Sequence, residues 1–294
     1  MFRLSFALFL VFLSSACTTG SGTVTEGRTY PGPPGKSYDN VAARDVVENV
    51  TKPSKNTLSE KERESMLNEV YKNLTESQSG GAVCSEVNDV HTGCKWFNFT
   101  LNETKTLNAY PWGESGLSVN KAILAYTDND HETAYVLAHQ MGHILARHVS
   151  ENIEYSVANK QGGMGVLAYL ICGVGCVQNI PAYGAQKRAE ALQEEWETSF
   201  DHTQEREADY IAVYLMESAG YDISIGRNFL LKMAALNPEN GSEEKGKAGY
   251  FDLHAFSPAQ YARVLAVKQE ILLKKRTGKN LLPTPKKPEV KEYY

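Results

Sequence analysis

No excess of basic residues marks this 294-residue chain: 30 lysines and arginines stand against 35 aspartates and glutamates, for a formal net charge of −5. Without a cationic surface to neutralise phosphates, nucleic acid is excluded as a partner. Cysteine is scarce, five residues in all, which limits cross-linking to two bridges. The first apolar run, Leu4 to Leu13, is too short to span a bilayer once folded. What remains is ordinary for a globule: 42% apolar residues and a length that admits one large domain or two small ones.

The start of the chain has the layout of an export signal. Met1 to Arg3 is a short basic stretch, Leu4 to Leu13 the apolar core, and Ser14, Ser15 and Ala16 a small-residue cleavage site, so residues 1–16 read as a signal peptide. Ending on Cys17, this stretch resembles a bacterial lipobox, with Ser14 where an aliphatic residue is usual. The resemblance implies that Cys17 is lipidated and becomes the mature N-terminus. Thr18 after it, rather than aspartate, then favours the periplasmic face of the outer membrane. The alternative is a plain secretory signal with an incidental cysteine. Export permits disulfides among Cys84, Cys94, Cys172 and Cys176. The local pair Cys84 and Cys94 is the expected first bridge. Cys172 and Cys176 suit a second only if Gly173 and Gly175 bend the backbone, and a cysteine-based zinc site competes with that reading.

Residues 17–56, rich in glycine, threonine, serine, proline and lysine, read as a tether, and 57–278 as the domain. Ser59 and Glu62 form a capping-box pattern ahead of Met66, Val70 and Leu74 at helical spacing, which predicts a first helix. Lys95 to Leu101, Thr104 to Tyr110 and Leu117 to Asn120 are short aromatic and β-branched runs and predict a small sheet. Gly162 to Ala185 is a glycine-studded apolar segment, either a membrane-touching or substrate-facing hairpin or a cover over a cleft. Gln186 to Glu197 reads as a charged helix, and 279–294 as a polar tail.

The most telling absence is a single carboxylate. His139 and His143, four apart in a stretch of good helix formers, lie one turn above each other on one face of a helix predicted over Thr133 to Asn152. That is the spacing of His-Glu-x-x-His, whose histidines bind zinc and whose glutamate is the general base of a metalloprotease. Here the glutamate position is Gln140. Its amide has nearly the carboxylate's shape but cannot take a proton from water at neutral pH. Gly142, inside the helix, costs about 1 kcal/mol against alanine, so another element is expected to pass close to it. On a later helix Glu205 and Asp209 share a face, with the small Ala208 allowing close approach. Two histidines and a distant glutamate form the ligand set of a catalytic zinc site, with Asp209 placed to fix a ligand's tautomer. His91, His131, His148 and His202 read as structural or surface residues. Asn108 and Ala109 belong either to an edge strand that holds extended substrate by backbone pairing or to a merely structural strand.

Taken together, these residues resemble metallopeptidase family M forty-eight, the gluzincins that include CAAX prenyl proteases and HtpX-like heat-shock proteases. In layout the chain is similar to periplasmic lipoprotein members of the LoiP and BepA type. The likeness runs from about Thr104 to Lys268 through Asn108, Ala109, Gly113, Asp128 to Glu132, Leu137 to His139, His143, Ala146 to His148, Glu205 to Asp209, and Ser218 to Asp222. It implies His139, His143 and Glu205 as ligands of one zinc ion per chain, Asp209 as their supporting acid, and Gln140 at the general-base position. A further likeness, Asp252 to Pro258 with Arg263, implies His254 as a switch that blocks the metal's open position or steadies the transition state; Ala255 stands where proline is usual.

The expected fold is therefore an α+β zincin-like gluzincin domain, mainly helical, with a small sheet beside the metal-binding helix. The resemblance implies a zinc metalloendopeptidase of the bacterial envelope acting on misfolded or unassembled polypeptides, with outer-membrane assembly proteins as partners. The alternative, set by Gln140, is a pseudoprotease that keeps its zinc cleft to bind chains.

Overall fold

The capping box at Ser59 starts the domain. The Ser59 hydroxyl accepts the Glu62 N–H, and the Glu62 carboxylate accepts the Ser59 N–H at 2.7 Å, which satisfies two of the N–H groups a helix start leaves open. A computed structural model describes residues 53–88, 92–152, 199–236, 249–254 and 258–284. The expected signal, Cys17, most of the expected tether, Cys172, Cys176, the apolar segment 162–185, the helix expected at 186–197 and most of the expected tail lie outside the described residues.

Helix α1 (Glu60–Glu76) buries Leu67, Val70 and Leu74. Helix α2 (Gln78–Val87) carries Cys84, which is joined by a disulfide to Cys94. The bridge closes a short loop of sequence separation 10. Replacing Cys94 by serine should lower the unfolding free energy by about 2–3 kcal/mol. Urea titration with and without reductant checks this: reductant should cost the unaltered protein more than it costs the variant, by a similar amount.

Three strands follow, β1 (Asn98–Asn102), β2 (Ala109–Trp112) and β3 (Gly116–Asn120), in the order β1-β3-β2. β3 is central and wholly buried, parallel to β1 and antiparallel to β2. The strand expected from Thr104 begins only at Ala109. Ahead of it the chain loops so that the Asn120 side chain donates to the Thr106 carbonyl at 3.0 Å. β2 contains Pro111, which has no N–H to give a ladder and is at home on an outer strand.

A short turn of helix, α3 (Lys121–Leu124), leads to α4 (Asp130–Leu145), capped by the Asn129 side chain on the Glu132 N–H at 3.0 Å. Every residue of α4 from Glu132 to Leu145 is buried, so the helix runs through the middle of the domain, with α1, the sheet and α5 (His202–Ser218) around it. The helix expected to reach Asn152 breaks instead at Arg147, whose φ of 66° lies in the left-handed region; a second helical stretch then starts at His148.

α5 starts a turn earlier than its acidic pair because Asp201 caps it, accepting from the Thr203 and Gln204 N–H groups. It lies closely against α4. A Cβ built on Gly142 would sit 2.5 Å from the Ala208 carbonyl oxygen and 2.9 Å from its Cα, which is why that position is glycine. Helices α6 (Ile223–Gly226), α7 (Asn228–Leu236), α8 (Tyr250–Leu253) and α9 (Pro258–Arg276) complete the described fold. α9 packs on α5, where the Tyr210 and Tyr214 hydroxyls donate to Glu270 at 2.8 and 2.6 Å. Among the described residues no helix is long and apolar enough to cross a membrane.

Candidate metal centre

α4 and α5 meet with their polar positions facing inward. His139 and His143, one turn apart on α4, bring their Nε2 atoms to 3.2 Å from each other. Glu205, in the first turn of α5, places Oε2 3.3 Å from His139 Nε2 and Oε1 3.2 Å from His143 Nε2. His254, just past α8, adds Nδ1 at 3.3 Å from His139 Nε2 and 2.9 Å from Glu205 Oε1. All four residues are buried, and their donor atoms lie within 4.8 Å of one another. Ligands about 2.0–2.1 Å from a tetrahedral ion stand about 3.3 Å apart; the spacing of the two Nε2 atoms matches that, as does each histidine's distance to its nearer Glu205 oxygen, a different oxygen for each.

The outer partners decide what the inner atoms are. His139 Nδ1 lies 2.9 Å from Asp209 Oδ1, an acceptor, so this nitrogen carries the ring's N–H and Nε2 points inward with its lone pair. The same Asp209 oxygen accepts the Tyr135 hydroxyl at 2.6 Å and the Gln260 amide at 3.2 Å. Burial first, and then the Asp209 charge, hold the Tyr135 hydroxyl well above its ordinary pKa, so it stays a donor. His254 Nε2 lies 3.2 Å from the Ala109 carbonyl. A carbonyl only accepts, so that nitrogen holds the proton and Nδ1 faces inward bare. Lone pairs and a carboxylate thus converge on one point, an arrangement that repels itself unless a cation lies among them.

A proton is the other candidate for that role. Burial opposes charge on His139, but Glu205 and Asp209 outweigh it and push its pKa up to about 10. Burial works the same way on Glu205, where His254, His139 and His143 prevail and hold the carboxyl well below its ordinary range. His143 goes the other way: burial, with His139 and His148 adding to it, pushes its pKa well down despite Glu205. A neutral imidazole is the form that binds metal.

The residues singled out from sequence fall as follows. His139, His143, Glu205 and His254 come together, with Asp209 behind His139. Gln140 is fully buried, its Nε2 3.4 Å from His254 Nε2 and its Oε1 without a hydrogen-bond partner. Ala109 opens β2, one of the sheet's two outer strands, and Asn108 immediately precedes it. The Asn108 carbonyl faces β3, accepting the Asn120 N–H at 3.0 Å, while the Leu107 and Ala109 carbonyls face the chain around α8 and accept from the Tyr250 N–H and His254 Nε2. His131 and His202 are away from the cluster; His91 lies outside the described residues. His148, read from sequence as structural or surface, is buried and has Nδ1 3.0 Å from His143 Nδ1. Spacing could not have found it, because positions five apart on an unbroken helix point in different directions.

A mainly helical domain in which a central helix and a later one present histidines and a glutamate to a common point, beside a three-stranded sheet, is a zincin-like metal-binding domain. The model of Peptidase family M48 matches residues 80–271, and the chain belongs to this family of metallopeptidases. Among curated proteins it is 30% identical over 156 residues to the beta-barrel assembly-enhancing protease of Yersinia pestis, covering 53% of this chain and 31% of that protein. It is 25% identical over 155 residues to the protein of that name from Escherichia coli K12, covering 52% and 31%. To the mitochondrial metalloendopeptidase OMA1 of Saccharomyces cerevisiae it is 31% identical over 133 residues, covering 45% and 35%. The chain thus spans about a third of the length of these relatives.

Proposed function

We propose that the protein is a zinc-dependent metalloendopeptidase of the bacterial cell envelope, lipid-anchored through Cys17 to the periplasmic face of the outer membrane, that acts on misfolded or unassembled polypeptides. The observation that carries the reading is the buried, converging cluster of His139, His143 and Glu205, whose ligand atoms lie within 4.8 Å of one another. The similarity to beta-barrel assembly-enhancing proteases supports the envelope setting and outer-membrane assembly proteins as partners, and the signal-like start supports the anchor.

Bound at this point, zinc supplies Lewis-acid activation of water and of a peptide carbonyl. The rest is the chain's own work. His139 and His143 offer neutral nitrogens, Glu205 offsets the cation's charge, and Asp209 holds the His139 ring in the binding tautomer. β2, as an outer strand, is the element along which an extended substrate would pair its backbone. For that, the α8 segment must give up the Leu107 and Ala109 carbonyls, and His254, released from Ala109, would vacate the fourth position. Gln140 can orient water by hydrogen bonding but takes no proton. Among the described residues no carboxylate replaces it: Glu132, two turns back on α4, is held by Lys232 at 2.6 Å and the Asp128 N–H at 2.8 Å.

Gln140 and the inward-facing His254 favour a second reading, in which the cleft holds extended chains without cutting them. Cleavage of unfolded casein by zinc-quantified protein, with a chelator control and beside Gln140→Glu and His139→Ala, separates the two. Activity in the unaltered protein that His139→Ala abolishes supports the endopeptidase. Zinc at one per chain with cleavage only in Gln140→Glu supports the binder.

Zinc and the His139 proton compete. With that pKa pushed up to about 10, the metal-free site holds the proton at neutral pH and must release it when zinc binds. Apparent affinity should therefore rise roughly tenfold per pH unit from 7 to 9. Competition with a chromophoric chelator at several pH values measures this; an affinity that does not change with pH would contradict it.

A further inference from the structure

We infer that His148 and Glu207 are positioning residues for His143, doing for the second histidine what Asp209 does for the first. This rests on the metal-centre reading but concerns residues to which that reading gives no role. His148 is 1% exposed, with Nδ1 3.0 Å from His143 Nδ1 and Nε2 3.2 Å from Glu207 Oε2. Two ring nitrogens 3.0 Å apart share one proton, and only one arrangement leaves His143 Nε2 bare toward the cluster. In it His143 Nδ1–H donates to His148 Nδ1, and His148 Nε2–H donates to the Glu207 carboxylate. The reverse polarity would place a proton on His143 Nε2, facing Glu205 where the cation binds.

The backbone is bent to make this contact. On a continuous helix residue 148 would point away from 143. Arg147, the one non-glycine residue with positive φ among those described, breaks the helix and turns His148 back under His143. A left-handed conformation at a residue with a Cβ costs on the order of 1 kcal/mol, so the fold gives up stability where the chain meets the site. Phe200 limits the ring from another side: it stacks on His143 at a centroid distance of 3.8 Å and an interplanar angle of 29°. The His143 ring is thus fixed in plane by stacking and in tautomer by the relay, and the negative end of the relay strengthens its Nε2 as a donor.

The test uses the full chain with His148→Ala, His148→Gln and Glu207→Gln. Zinc affinity is read by chelator competition, the ligand field by visible absorption of the cobalt-substituted proteins, and folding by circular dichroism of the metal-free forms. His148→Ala should bind zinc about 10- to 100-fold more weakly and change the cobalt spectrum. His148→Gln, whose side-chain oxygen can accept the His143 proton, should recover most of the affinity. Glu207→Gln should fall between them. Unchanged affinity and cobalt spectrum in folded His148→Ala, or in folded Glu207→Gln if the alanine variant does not fold, would overturn the inference and leave the metal centre standing. An unaltered protein that binds neither zinc nor cobalt would overturn both.

Discussion

Replacing Gln140 by glutamate is expected to raise the rate of unfolded-casein cleavage by about 100- to 10,000-fold, the span that a positioned general base contributes. The substitution changes little in shape, because the carboxylate has nearly the amide's outline and the site is already formed: Gln140 is fully buried next to His139, and its Oε1 has no hydrogen-bond partner. What changes is the capacity to take a proton from water and pass it to the leaving amine. The same substitution adds a negative charge to a site that already contains Glu205 and Asp209. Without metal it should destabilise the fold by several kcal/mol, since an unpaired buried charge is costly, so the stabilisation given by zinc should be larger in the variant. Equal cleavage by the two proteins would mean that some other group serves as the base.

Gly142→Ala should destabilise the protein by about 2 kcal/mol or more and weaken its hold on metal, although alanine is the better helix former by about 1 kcal/mol. Propensity loses here because the added methyl would meet backbone, the Ala208 carbonyl oxygen at 2.5 Å, and neither side can rotate away. Reaching ordinary van der Waals separation needs α4 and α5 to part by roughly 1 Å. His139 and His143 are on one of these helices and Glu205 on the other, so that displacement opens the 3.2–3.3 Å spacings of the cluster. Thermal denaturation and zinc competition measure the two effects. A variant more stable than the parent would contradict this account of the glycine.

Much of the centre is legible in sequence because it is written in helical periodicity. The four-residue spacings of His139 with His143 and of Glu205 with Asp209 put each pair on one face whatever the rest of the fold does. Gly142 in a strong helix announced a close neighbour, and Ala208 is that neighbour. His254 was reachable only through resemblance, since nothing local ties it to a site whose other residues lie far back in the chain. The contact of His148 with His143 was not legible, because it depends on the break at Arg147, and no residue type in that stretch requires a positive φ. The start of β2 was misplaced for a related reason. Residues 104 to 108 have strand-like composition, but the long-range hydrogen bond from Asn120 to Thr106 holds them in a loop.

The metal centre is tested most directly by the zinc content of the purified protein together with its zinc K-edge absorption spectrum. The account predicts one zinc per chain in a shell of nitrogen and oxygen with imidazole scattering and no sulfur, and loss of that zinc in His139→Ala. A protein purified without zinc that takes up none on titration, or zinc bound equally well by His139→Ala, would contradict it.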